Sequence, residues 1–303
     1  MQTPTSERAG LVWALLAVTA FSLTFPATKL ALQALPVAWV GAGRGALAGL
    51  AAGLVLWGTR ARLPERRYWG RLAVVALCSV IGFPWLIAQA MTTLTVGYSA
   101  IIVGAVPLMT AAIAAWRGGE RLSPPFWIAA AAGSVALVAY GATHLGGTID
   151  GSLFLLGAAL CAAIGYAEGG RLAAELGGPR VMSWSVVLAL PFLLPGAVSA
   201  AGEIEAPGAA WMPWLAFLYL SLVSQWLAFY PWYKGMTLAG VARAAQVQQI
   251  QVFLTLAVSS LWLDESVGWV DALVAAWVVA CVVVAQRAPR VALSGPRVKA
   301  ASA

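Results

Sequence analysis

Ten apolar runs, each of about 20 residues and so able to cross a ~30 Å hydrocarbon core, follow one another along this chain. They lie roughly at 10–32, 36–57, 69–91, 97–116, 124–142, 151–172, 180–200, 211–233, 240–262 and 267–287, and are numbered here helix 1 to helix 10. In hydrocarbon every backbone N–H and C=O must be satisfied within the protein, which leaves helices or a closed barrel. Barrel strands would be shorter and strictly alternating, and nothing here alternates. Hydrophobic residues make up 61% of the chain and charged residues 10%, against about 25% charged in a soluble domain. The fold class expected is therefore an all-α integral membrane protein with ten transmembrane helices. The first run ends in "TKLALQALP" without a small-residue cleavage pattern and reads as a retained helix, not a signal peptide.

The same composition removes several function classes. Cys78, Cys161 and Cys281 all fall inside predicted helices and make no metal-ligand spacing or disulfide framework. His144 is the only histidine and sits near a helix end, where a lone imidazole is simply solvated. There is no Walker motif and no nucleophile–base pair. The chain is expected to be no enzyme, with no cofactor, no metal and no required protein partner.

Charge sets the orientation. All but two of the eighteen basic residues lie in the two tails or around the even-numbered connections, from Arg8 and Arg60 through Arg117, Arg180 and Lys234 to Lys299. The exceptions, Lys29 and Arg44, are inside helices 1 and 2. Excess Lys and Arg marks the cytoplasmic side, so both termini are expected there, in a bacterial inner membrane. The net charge of +7 then reflects topology and not nucleic-acid binding, because the arginines are spread over separate segments.

The chain also compares with itself at an offset of about 142 residues. "TKLALQALP" (28–36) lines up with "GRLAAELGGP" (170–179), and "WRGGERLSPPFW" (116–127) with "LWLDESVGWVDA" (261–272). Two units of five helices, an odd number, must be inverted relative to one another, a transporter signature with the substrate site near the midplane. The expected boundaries are 1–142 for helices 1–5, 143–291 for helices 6–10, and 292–303 for a cytoplasmic tail.

Three stretches carry a family resemblance: "FPATKLALQALPVAWVGAGRGALAG" at helices 1 and 2, "IIVGAVPLMTAAIAAWRGGERLS" at helix 4, and "GVARAAQVQQIQVFLTLAVSSLWLDE" at helix 9. With them the chain resembles the drug/metabolite transporter superfamily, of the ten-helix EamA-domain type, over nearly its whole length. The resemblance implies a central cavity lined by helices 3, 4, 8 and 9 with contributions from 1 and 6. Its branch with the best-known activity, the YddG-like exporters, moves amino acids. Where the commoner family pattern has a proline near the middle of helix 9, this chain has "QVQQIQ".

Arg44 is the most pointed residue. It lies eight residues into helix 2, roughly 12 Å deep at 1.5 Å per residue, among Gly41, Gly45, Gly49 and Gly53, whose spacing lets another backbone approach. Pro26 deprives the Ser22 carbonyl of its helical partner at a similar depth. The reading favoured is a clamp: Arg44 donates to freed carbonyls across a tight contact of helices 1 and 2. The alternative is a cavity-facing ligand for a substrate carboxylate. Lys29 is near enough to the outer end to snorkel.

The other candidate substrate-binding residues are polar or aromatic groups on helical faces. Helix 3 offers Trp85 and Gln89, helix 4 Tyr98, and helix 8 Trp226 and Tyr230 on one face with Tyr219 and Tyr233. Helix 9 offers Gln246 and Gln249 on one face, and Gln248 and Gln251 with Thr255 on another. Glu168 is the carboxylate nearest a helix middle and is expected to pair with Arg171 one turn on. Prolines 26, 84, 107, 191, 195 and 231 offer hinges or static kinks.

Aromatic walls with a few amides suit a small amphiphile with a polar head. The function expected is export of small metabolites, neutral or aromatic amino acids foremost, by alternating access. The rivals are an exporter of hydrophobic cationic drugs, which would want a central carboxylate, and a membrane-embedded enzyme or scaffold, which leaves the inverted repeat without a purpose.

Overall fold

The computed structural model describes residues 4–118, 122–144, 148–204, 211–262 and 269–289. Among them ten helical rods run back and forth. Helix 1 is Pro4–Ser22 continued by Thr24–Ala31. Helix 2 is Trp39–Gly43 and Arg44–Gly58. Helix 3 covers Arg66–Thr93. Helix 4 is broken into Val96–Val103 and Val106–Gly118, and helix 5 is Pro124–His144. Helices 6, 7 and 8 are Ile149–Leu176, Gly178–Ala201 and Met212–Ala239. Helix 9 is broken into Val241–Val247 and Gln249–Trp262, and helix 10 is Trp269–Arg287. Six of the rods (1, 2, 3, 6, 7 and 8) are long and apolar enough to cross a membrane by themselves. The tail expected over 292–303 lies outside the described residues, as do Glu120 and Glu265 of the motifs.

The packing is that of two five-helix units related by a two-fold axis. Helix 1 packs on helix 8 and helix 3 on helix 6, which are the same pair of repeat positions exchanged. Helices 2 and 7, 4 and 9, and 5 and 10 each pack on their own counterparts. Two of the irregularities repeat as well. Helices 3 and 8 each carry a π-helical stretch, Ala76–Gly82 and Tyr219–Leu227, and helices 4 and 9 each break near the middle. A relation of this kind between units with an odd number of helices is the inverted repeat of a transporter.

Two connections are single glycines. Gly177 (φ 82°) ends helix 6 and begins helix 7, and Gly240 (φ 91°) does the same between helices 8 and 9. A side chain in that left-handed region would be strained, and glycine is not. The turns hold each pair of helices side by side.

The glycine stripe of helix 2 does permit close approach, but its partner is helix 7, not helix 1. A methyl group at Gly45 would lie 2.5 Å from Leu193 Cδ1, and one at Gly49 would lie 2.8 Å from the Val186 carbonyl oxygen and 2.7 Å from Leu190 Cγ. The sequence favoured helix 1 because Pro26 and Arg44 sit at matching depths, yet depth alone does not say which neighbour a stripe faces. The tight approach of helix 1 is to helix 8, where a methyl at Gly235 would meet the Ala14 nitrogen and the Gly10 carbonyl oxygen at 2.8 Å each. Because the Gly49 obstacle includes backbone, Gly49→Val is expected to cost about 1–3 kcal/mol of overpacking. Gly53→Ala, whose methyl would have 3.7 Å to Val187, should be neutral. Melting temperatures of the two detergent-solubilised variants check this.

Candidate functional site

The polar groups that the sequence scatters over seven helices converge on one enclosed space. A small cavity of about 20 Å³ lies between these helices. Helix 1 contributes Phe21 and Thr24, helix 2 Arg44, and helix 3 Ser79 and Phe83. Val103 comes from the break in helix 4 and Tyr166 from helix 6. Ser224, Gln225 and Phe229 come from helix 8, and Gln248 and Gln251 from the break in helix 9. A smaller lobe between the two breaks adds Ala100, Gly104 and Val252. Gln248 N–H bonds the Ala245 carbonyl at 3.0 Å and Gln251 N–H the Gln248 carbonyl at 2.9 Å. This tightened turn is what breaks helix 9 at the cavity.

Arg44 is 2% exposed. Its Nη2 donates to Ser224 Oγ at 3.3 Å, and that hydroxyl lies 2.8 Å from Thr24 Oγ1. Nε and Nη1 are buried without a partner. Among the described residues no carboxylate is within ion-pair distance of it, and none lines the cavity. A guanidinium so placed is an uncompensated charge in a low-dielectric interior, which costs several kcal/mol after relaxation.

The clamp reading does not survive this geometry. The carbonyls at the break in helix 1 are taken by other side chains. Tyr219 OH donates to Ala20 O, Gln251 Nε2 to Phe21 O at 3.3 Å and Thr255 Oγ1 to Ser22 O at 2.8 Å. The oxygen that Pro26 frees thus goes to helix 9, and Arg44 is left to the cavity.

The amides carry the complementary capacity. Gln225 Nε2 donates to Ser79 O at 3.0 Å, as Gln251 Nε2 does to Phe21 O. A backbone carbonyl can only accept, so these bonds fix the amide orientation and leave each Oε1 unpaired. Gln225, Gln248 and Gln251 all present a buried, unpartnered Oε1. The cavity therefore offers a free cation and free acceptors, walled by Phe21, Phe83 and Phe229.

Of the residues singled out from sequence as substrate-binding, only Arg44 lines this space. Gln249 faces helix 5, where its Nε2 donates to Ser134 Oγ at 3.2 Å. Gln246 is fully buried off the cavity, with neither amide atom partnered. Trp85 is 39% exposed and lies over Gly41, and Gln89 is half-buried further along helix 3. Tyr98 OH pairs with Ser152 Oγ of helix 6 at 2.9 Å. Trp226 Nε1 donates to Ser183 Oγ of helix 7 at 2.9 Å, and Tyr230 OH meets the same hydroxyl at 2.9 Å. The cavity residues missed were Ser79, Phe83, Ser224 and Phe229 on the π-bearing helices, and Phe21, Thr24 and Tyr166; Gln225 stands beside the helix 8 face that the sequence suggests. Gln248 and Gln251 were seen as a second polar face of helix 9, and the break at Gln248 is what turns that face inward.

Glu168 does face Arg171 one turn on, but its closest partner is Arg71. Its Oε1 takes Arg71 Nε of helix 3, while Arg117 and Arg171 stand at 3.7 and 3.9 Å from Oε2. The one-turn spacing placed Arg171 nearby, but the shorter bond comes from another helix.

Helices in two exchanged units, broken at a buried polar cavity, are the build of an inverted-repeat transporter. The EamA-like transporter family model matches residues 8–140 and again 149–286. The chain belongs to the EamA-like transporter family. It is 37% identical over 280 residues to the uncharacterized transporter YdeK of Bacillus subtilis (strain 168), covering 92% of this chain and 97% of that one. A solved structure titled "Crystal structure of protein" shares the fold at a TM-score of 0.70 and 19% identity, over 92% of this chain and 98% of the other.

Proposed function

We propose that the protein exports small zwitterionic metabolites, neutral or aromatic amino acids foremost, across a bacterial inner membrane, with both termini cytoplasmic. The observation that carries this reading is the unpaired Arg44 guanidinium in the central cavity. An intramembrane cation without a counter-ion is a site for an anion, and a carboxylate accepts the planar fork of donors that Nε and Nη1 present. The free Oε1 atoms of Gln225, Gln248 and Gln251 suit an ammonium group. Phe21, Phe83 and Phe229 suit an apolar side chain, by burial and by aromatic contact. In this conformation the cavity encloses about 20 Å³, roughly the room of a single water, so cargo enters as the two units move apart. The clustering of basic residues at one end of the bundle supports the orientation. A hydrophobic cation finds no carboxylate here and an unpaired positive charge instead, so drug export is the weaker reading.

Proteoliposomes containing the pure protein test this directly. Labelled phenylalanine and leucine are expected to move faster than into empty liposomes, and a labelled hydrophobic quaternary ammonium is not. Movement of the cation alone, or of neither amino acid, would overturn the proposal.

A further inference from the structure

An ion cluster at the basic end of the bundle joins the two halves of the molecule. Glu168, on helix 6, is 3% exposed. Arg71 of helix 3 donates to its Oε1, and Arg117 at the end of helix 4 and Arg171 of helix 6 face its Oε2. Arg71 also reaches Glu175 at 2.5 Å. Helices 3 and 4 belong to the first five-helix unit and helix 6 to the second, so one buried carboxylate gathers cations from both.

Glu168 is two residues along helix 6 from Tyr166, which lines the cavity. Phe21, Tyr166, Phe229 and Trp232 pack as one aromatic group, with centroid distances from 5.2 to 6.5 Å. Phe21, Tyr166 and Phe229 also line the cavity. Tyr233 links this group to the cluster. Its ring is 5.5 Å from Phe229, and its hydroxyl rests on Gly169, the residue after Glu168. The opposite end is built differently. There Lys29 Nζ bonds the Met91 and Leu94 carbonyls within one unit, and the units bond one another through neutral hydroxyl pairs among the described residues, Tyr98 with Ser152 at 2.9 Å and Thr148 with Thr93 at 3.2 Å. Every ion pair among the described residues is at the basic end.

We propose that Glu168 is the latch of the gate at the basic end, holding helices 3 and 4 to helix 6, and that its release admits cargo from that side. Rocking of one unit against the other is the motion such repeats perform, and it must part this carboxylate from Arg71 and Arg117. Breaking a buried pair by removing one partner is strongly unfavourable to the state that contains it. Loss of the Glu168 charge therefore shifts the population towards the state open to the basic end. Nothing in this depends on what the cavity binds.

The test reads the side from which the cavity is reached. Cys78, Cys161 and Cys281 are replaced by alanine, and Val103→Cys supplies a reporter thiol in the cavity wall. A charged, membrane-impermeant methanethiosulfonate is applied to one end or the other of oriented vesicles. Glu168→Gln is expected to speed labelling from the basic end by about tenfold or more and to slow it from the opposite end. Arg71→Gln, which removes the same contact from a side chain 29% exposed, is expected to do the same and serves if Glu168→Gln does not fold. Unchanged labelling from the basic end, or an equal rise from both ends, would show that the cluster is only structural.

Discussion

Arg44→Leu is expected to leave the protein at least as heat-stable as the wild type and to cut transport of a carboxylate-bearing substrate by about 100-fold. The two halves of that result come from one observation. In the unloaded protein the guanidinium has a single hydrogen bond, to Ser224 at 3.3 Å, and two buried unpaired nitrogens. Replacing such a charge with an apolar group of similar length is neutral or stabilising. Loaded with a carboxylate, the same group makes charge-assisted hydrogen bonds worth up to ~3 kcal/mol, which is about a hundredfold at 1.4 kcal/mol per factor of ten. The matching amino-acid amide has no charge to lose and should be slowed far less. Arg44→Lys should recover part of the acid transport, because a point charge replaces a planar fork. Melting temperature and transport of the acid–amide pair decide the matter. A fall in melting temperature with equal losses for both substrates would restore Arg44 to the role of a clamp.

The helices, their number and their pairing into halves were legible because hydrocarbon imposes so narrow a rule on length and polarity. The glycine stripe of helix 2 was legible as a close approach for the same reason, although not as an approach to helix 7. What failed was the assignment of faces. Tyr219, Trp226, Tyr230 and Tyr233 line up at 3.6 residues per turn, yet they meet helix 1, helix 7 twice and helix 6. The π-helical stretch Tyr219–Leu227 is the cause. Each extra residue that a wide turn takes in sets the later side chains back by about 100°, so a face drawn before the stretch does not continue after it. Helix 3 repeats the lesson: Ala76–Gly82 turns Ser79 and Phe83 inward and leaves Trp85 on helix 2. The break in helix 4 was legible at Pro107, which falls just after the gap between Val103 and Val106, whereas the break in helix 9 at Gln248 has no proline or glycine to announce it. Ion pairs between the halves, such as Arg71 with Glu168, are 97 residues apart, and no local pattern announces them.

The four glutamines of helix 9 turn that lesson into an expected result. By helical spacing alone Gln246 and Gln249 were the stronger pair, and Gln246→Leu or Gln249→Leu would lower transport. The structure reverses the expectation. Gln248 and Gln251 line the cavity, and Gln251 also holds the Phe21 carbonyl at the break in helix 1. Gln248→Leu removes an acceptor from the site, and Gln251→Leu removes both an acceptor and that cap. Each is expected to lower transport by about tenfold or more, as loss of a hydrogen bond to a charged group does. Gln249→Leu breaks one neutral bond to Ser134 and should cost about 1 kcal/mol of stability with the substrate preference unchanged. Gln246 is the sharpest case. Both of its amide atoms are buried without partners, so an apolar side chain of similar size removes a desolvation penalty. Gln246→Leu should keep wild-type transport and raise the melting temperature. Transport measured on all four variants at matched membrane levels separates the faces. Normal rates for Gln248→Leu and Gln251→Leu, with loss in Gln246→Leu, would mean that the path of the substrate runs behind helix 9 and not through the cavity that Arg44 faces.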